Sequence, residues 1–183
     1  MSCRSAILID NFLDQSKFDN LSAKVAASTA YNTTTVQDLR DDLFTEVYTA
    51  VFDRLKEIGL YQPHFDESVK LFGYNQFRPA NEGYGNFNGP HFDHGGYVFY
   101  IHPHWDESWE GKIKITNADE EQYRNGIYAK PNRFIWIDPG TYHDVTTTAS
   151  NTTHARVANI AFLGGDIHVD PSGISFINIT TTT

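Results

Sequence analysis

The stretch Gly89-Pro90-His91-Phe92-Asp93-His94-Gly95-Gly96-Tyr97-Val98-Phe99-Tyr100-Ile101-His102 decides how the rest of this chain is read. Its second half, Tyr97 to His102, is a short apolar run between a glycine pair and Pro103. It is too short for a helix and rich in the aromatic and β-branched side chains that suit a pleated surface. Its first half sets an imidazole and a carboxylate two residues apart. On an extended chain residues i and i+2 point the same way, so His91 and Asp93 offer two ligands to one metal at a strand end.

Working outward toward the C-terminus, runs of the same kind recur at 68–73, 112–116, 133–137, 144–148, 156–163 and 173–179, between clusters of Gly, Pro, Asn and Asp. Short strands punctuated in this way predict a β-sandwich or barrel. Toward the N-terminus the texture differs. Residues 5–9 read as a short strand, 15–29 as a helix, and Val36 to Gly59 as a longer helix. In that longer segment Leu39, Leu43, Val47, Val51 and Leu55 recur every fourth residue, giving one apolar stripe; Thr35 and Asp38 resemble a capping arrangement and Gly59 stops it. Helices first and strands afterwards predict an α+β chain: a helical support over 1–60 buttressing one face of a β core over about 66–180, in a single domain. No repeat of fixed period is present.

Composition narrows the function. With 183 residues, 40% of them hydrophobic, and 13 Phe and 10 Tyr, the chain has the material for one real core. A formal net charge of -9 repels phosphate backbones and anionic lipid, so neither nucleic acid nor a membrane surface is the expected partner. Cys3 is the one cysteine, which excludes an intramolecular disulfide and a thiolate zinc cluster. The apolar segment at 6–9 is too short for a signal peptide and no run reaches membrane-spanning length, so a cytoplasmic chain is expected.

Of the 8 histidines, four begin a His-x-Asp tripeptide, among them His64, His91 and His168. Two imidazoles and one carboxylate on one side of iron(II) leave the opposite positions open for a bidentate co-substrate and O₂. His168 has no histidine after it to complete such a set. His64 falls between the long helix and the run at 68, where a loop is expected. His91 follows the Gly/Asn-rich segment Asn81 to Pro90, and His143, 52 positions further on, follows the run Phe134-Ile135-Trp136-Ile137 and the turn Asp138-Pro139-Gly140. Alternation points His94 away from His91 and Asp93. His94, His102, His104, His154 and His168 read as surface or substrate-cleft groups.

Taken in order, several blocks resemble the iron(II)/2-oxoglutarate dioxygenases, specifically their prolyl 4-hydroxylase-like branch. Val69-Lys70-Leu71-Phe72-Gly73-Tyr74 resembles the strand before the metal loop, and Gly89-Pro90-His91-Phe92-Asp93 the Pro-His-x-Asp block. Phe99-Tyr100-Ile101 with Trp105, Glu110-Gly111-Lys112-Ile113-Lys114-Ile115, Tyr142-His143-Asp144-Val145 and Arg156-Val157-Ala158-Asn159-Ile160 are similar to the blocks that follow. The likeness spans residues 68–163. It implies a double-stranded β-helix (jelly-roll) core, metal ligands His91, Asp93 and His143, and Tyr100 and Arg156 on the distal carboxylate of 2-oxoglutarate. It also implies iron(II), 2-oxoglutarate, O₂ and ascorbate as cofactors, with decarboxylation to succinate coupled to hydroxylation of a peptidyl proline. Three departures stand out. Glu110 replaces a glycine, Ala158 replaces a hydroxyl residue, and the spacing from His143 to Arg156 is longer than expected.

The residues speak to part of this directly. Arg156, Ala158, Ile160 and Phe162 share one face of a strand, so the guanidinium points to the core side, where it needs an anionic partner. A dicarboxylate held bidentately supplies one. For Tyr100 alternation selects no face, since its neighbours are apolar on both. Asn81 to Gly89, with Tyr84 as a substrate-binding candidate, reads equally as a substrate flap or a plain loop. A free amino acid or other small molecule is an alternative substrate. A catalytically silent, cupin-like metal-binding module is the alternative of a different class.

Overall fold

The computed structural model describes residues 2–82, 90–165 and 174–180. Its strands are β1 (Ser2–Ile9), β2 (Gln37–Leu39), β3 (Gly73–Arg78), β4 (Gly96–Tyr100), β5 (Ile113–Ile115), β6 (Phe134–Ile137), β7 (His143–Val145), β8 (Arg156–Phe162) and β9 (Ser175–Thr180). The helices are α1 (Gln15–Ala27), α2 (Asp42–Glu57), α3 (Phe65–Phe72) and the short α4 (Glu121–Asn125). Seven strands form one antiparallel sheet in the order β2-β3-β8-β4-β6-β1-β9, and β5 and β7 form a second, antiparallel pair.

Period-2 alternation sorts the large sheet into two faces. Ile7, Tyr97, Phe99, Phe134, Trp136, Val157 and Ala161 point to one side, where α1, α2 and α3 cover them with Phe18, Val47, Val51, Leu55 and Phe65. Ala6, Leu8, Tyr100, Ile135, Ile137, Ala158 and Ile160 point to the other, against Ile113, Ile115 and Val145 of the small sheet. The chain is therefore a mixed helix-and-sheet structure, with helices on one face of a large antiparallel sheet and the small sheet on the other.

Three expected elements are corrected. The helix expected from Val36 begins instead at Asp42, because the Asp41 carboxylate accepts the Phe44 N–H at 3.0 Å and caps it. Gln37–Leu39 is drawn into the sheet as β2, with Leu39 paired to Asn75. The strand expected over 68–73 is the end of α3. Phe65 and Val69, one helical turn apart, are buried, and acidic Asp66 and Glu67 sit in the first turn. The chain becomes extended only at Gly73, where a side chain would stand 2.6 Å from the Val69 carbonyl. The run at 144–148 is likewise shorter as a strand, ending at Val145. His64 lies, as expected, in the turn that leads into α3, with Nε2 3.0 Å from the Leu163 carbonyl.

Candidate metal centre

His91 and His143 face each other across an isolated antiparallel bridge, each donating its backbone N–H to the other's carbonyl at 2.9 Å. That pairing sends both imidazoles to the same side, with ring centroids 4.5 Å apart. Asp93 follows two residues after His91, and its Oδ2 lies 3.6 Å from His143 Nε2. One ligand-type atom from each of the three lies within 4.8 Å of the others, a spacing that one metal ion can bridge.

The neighbouring backbone prepares these groups. His143 Nδ1 is 2.9 Å from the Thr141 carbonyl, which can only accept, so Nδ1 carries the proton and Nε2 presents its lone pair toward Asp93. Burial lowers the His143 pKa, outweighing the pull of Asp93, and favours the neutral imidazole that a metal requires. Asp93 Oδ1 accepts the Gly95 N–H at 3.0 Å, and its carbonyl accepts the Gly140 N–H at 3.1 Å, tying the first ligand segment to the turn that precedes the last.

The three residues line a cavity of about 120 Å³ between the sheets, with Val98, Ile113, Val145 and Ile160 as apolar walls. Arg156 lines the same cavity and is buried. Phe162, six residues further along β8, pairs with Gly96 beside the ligand loop, so the guanidinium belongs to the opposite end from Asp93. Arg156 Nη1 donates to the Gly111 carbonyl at 2.7 Å. Gly111 has φ +66°, and a Cβ there would press on Arg156 Cδ at 3.2 Å, so glycine lets the backbone approach the guanidinium. Tyr100 pairs with Ala158 and thereby takes the face of Arg156, which alternation alone left open. Its ring centroid is 5.8 Å from the Arg156 guanidinium carbon. Its hydroxyl is fully buried without a hydrogen-bond partner among the described residues, and burial raises its pKa against the pull of Arg156.

The structure thus brings His91, Asp93 and His143 together and sets Arg156 and Tyr100 on the same face. Tyr84 and the segment 83–89 lie outside the described residues, as does His168. His94 is exposed, as is His104, and His154 stacks on Tyr31. His102 corrects the expectation of a surface or cleft group, since it is completely buried. Its Nδ1 accepts the Val157 N–H at 3.1 Å while Nε2–H donates to the Ala129 carbonyl at 2.8 Å, and burial pushes its pKa down to about 4. Alternation would have turned it with Tyr100 rather than toward solvent.

Three features escaped sequence reasoning. Arg78 sits opposite Arg156. It follows Tyr74 and Gln76 at every second position and was legible only once β3 was correctly bounded. Thr141 acts through its backbone carbonyl, which leaves no sequence signal. Phe92 and Tyr142, each next to a histidine of the triad, are exposed and meet edge to face with centroids 5.2 Å apart, forming an aromatic rim.

No family model matches the sequence, and no curated protein matches it. The similarity appears in three dimensions. A prolyl 4-hydroxylase from Pseudomonas putida superimposes with TM-score 0.57 over 88% of this chain and 92% of its own, at 13% identity. The chain has the fold of prolyl 4-hydroxylases. A prolyl hydroxylase from Trichoplax adhaerens, in complex with a hypoxia inducible factor oxygen degradation domain peptide fragment, matches with TM-score 0.53 and 12% identity, covering 88% of this chain and 84% of its own. The viral collagen prolyl hydroxylase of Paramecium Bursaria Chlorella virus-1, in a 2-oxoglutarate complex, matches with TM-score 0.50 and 11% identity, over 86% and 95%. Among the described residues, no helix is long and apolar enough to cross a membrane.

Proposed function

We propose that this chain is an iron(II)- and 2-oxoglutarate-dependent oxygenase, built as one domain on a double-stranded β-helix core, that hydroxylates a peptidyl proline. The observation that carries the reading is the shared cavity, with a His-Asp-His cluster at one end and a buried arginine at the other. The donor set suits iron(II), and Arg156 with the buried Tyr100 hydroxyl suits a carboxylate. Iron, when bound, supplies the O₂ activation that couples decarboxylation of the keto acid to oxidation of a C–H bond.

The chain's own residues bind, orient and exclude water. His91, Asp93 and His143 would hold the metal, and Thr141 keeps His143 in the tautomer that can ligate. Arg156 and Tyr100 would hold the far carboxylate of the keto acid. The apolar walls Val98, Ile113, Val145 and Ile160 keep the interior dry. The Phe92–Tyr142 rim offers an uncharged ring a surface beside the metal, which favours a proline side chain over a charged small molecule. The prolyl hydroxylase fold and the peptide-bound relative are consistent with that choice.

Anaerobic addition of iron(II) and 2-oxoglutarate tests the reading by the weak visible charge-transfer band of the chelate. The expected result is a band in the wild type that is lost in His143→Ala. A wild type without the band, and without succinate formation in air, would overturn it in favour of a catalytically silent metal-binding module.

A further inference from the structure

Tyr97, Asn159 and Asn75 form a chain of hydrogen bonds across β4, β8 and β3 of the large sheet. The Tyr97 hydroxyl donates to Asn159 Oδ1 at 2.6 Å, and Asn159 Nδ2 donates to Asn75 Oδ1 at 2.8 Å. Burial lifts the Tyr97 pKa well above its ordinary value of 10, so the hydroxyl keeps the proton it donates. The three residues are buried, at 1%, 0% and 0% exposure, on the helix-covered face otherwise built from side chains such as Phe77, Phe99, Val157 and Ala161. Asn75 Nδ2 has no hydrogen-bond partner among the described residues. A polar chain left incomplete in an apolar layer costs stability, and apolar residues of similar shape could replace it without loss. What the chain supplies is therefore something other than stability.

Strand register is the property it fits. Hydrophobic alternation forbids a slip of one residue, which would turn every side chain to the opposite face. It does not forbid a slip of two. Such a slip keeps each side chain on its face and restores the alternation of hydrogen-bonded and non-hydrogen-bonded pairs in an antiparallel ladder. If β8 slipped by two residues against β3 and β4, Asn75 would stand opposite Val157 or Ala161, and Asn159 opposite Gly73 or Phe77. None of these side chains can replace the lost hydrogen bond. The apolar residues of the same face would merely exchange one apolar neighbour for another. The amide pair thus discriminates where the hydrophobic pattern does not. On the cavity face, the same slip would carry Arg156 about 7 Å along the strand relative to Tyr100 on β4.

We infer that Asn75, Asn159 and Tyr97 are a register lock, holding β8 in the alignment that sets Arg156 beside Tyr100 on the cavity face. They are positioning residues that act through Arg156 and Tyr100, and their consequence for binding rests on the 2-oxoglutarate reading given above.

The test is the triple variant Asn75→Leu, Asn159→Leu, Tyr97→Phe, which removes the polar atoms and keeps the side-chain volumes close. Its urea midpoint is expected at or above that of the wild type. In NMR spectra, cross-strand NOEs should join Val98 to Ile160 in the wild type; in the variant a second set should join Val98 to Ala158 or Phe162. In the anaerobic chelate-band titration with iron(II), the Kd of 2-oxoglutarate should rise as the reciprocal of the fraction that keeps the wild-type register, about two-fold when half does. A single set of NOEs in the wild-type register overturns the inference, whatever the midpoint. It would mean that the ladder and the contact of His102 with the Val157 N–H hold β8 without help. A second register with an unchanged Kd would overturn the positioning role. If the triple variant does not fold, Tyr97→Phe alone removes the link between β4 and β8, and the same NOEs decide. A wild type that forms no chelate band sinks the oxygenase reading, and the NOE comparison then decides the lock by itself.

Discussion

Acid should destabilise this protein through His102, and the size of the effect follows from its surroundings. The imidazole is completely buried, with Nε2–H donating to the Ala129 carbonyl and Nδ1 accepting the Val157 N–H, an arrangement that suits the neutral ring. Burial, partly offset by the Ala129 hydrogen bond, takes its pKa from 6.5 to about 4. Between these values the unfolded chain binds a proton that the folded chain refuses. Stability from this residue is therefore complete above pH 6.5 and is lost as the pH falls toward 4. At roughly 1.4 kcal/mol per unit, the loss amounts to about 3 kcal/mol, a large share of a typical domain's stability. In His102→Gln the amide can make the same two hydrogen bonds without titrating. That variant forfeits some packing against Tyr100 and Trp105 at every pH. Urea unfolding followed by tryptophan fluorescence at pH 7, 5.5 and 4 gives both profiles, and common titrations such as that of His143 cancel in their difference. The wild-type advantage should shrink by about 3 kcal/mol from pH 7 to pH 4. Parallel profiles would refute the reasoning.

Three further outcomes are expected. Gly111→Ala forces a side chain into φ +66° and against Arg156; about 1–2 kcal/mol of stability should be lost in urea titrations, with weaker 2-oxoglutarate binding in the chelate-band assay. Asp41→Ala should cost about 1 kcal/mol by removing the true cap of α2, whereas Thr35→Ala, at the start expected from sequence, should leave the thermal midpoint nearly unchanged. Glu110 occupies φ 57° and ψ −136°, a conformation suited to glycine; Glu110→Gly should raise stability by roughly 0.5–2 kcal/mol, the strain relieved exceeding the entropy glycine costs, and a lowered melting temperature would count against that account.

What was legible in the sequence is what local geometry controls. Alternation along 156–162 was enough to place Arg156 with Ala158 and Ile160, because side-chain direction in a strand depends only on the neighbouring residues. The apolar stripe of Val47, Val51 and Leu55 likewise declared the buried face of α2. The start of that helix was misjudged because Leu39 continues the every-fourth spacing by coincidence, and pairing with Asn75 overrode it. In α3 the run Val69 to Phe72 suited either structure, and one helical turn from Phe65 to Val69 against the core settled the matter.

The candidate site divides in the same way. The His-x-Asp spacing named several candidates, and the order of the blocks around them singled out His91, Asp93 and His143. Only the fold sets His143 across a bridge from His91, chooses the face of Tyr100, buries His102 and brings Arg78 opposite Arg156. Those facts depend on register between strands far apart in the chain, and a shift of one residue would turn each of these side chains to the other face. The chain's sequence by itself determined which groups could do chemistry; the pairing of its strands decided which of them meet.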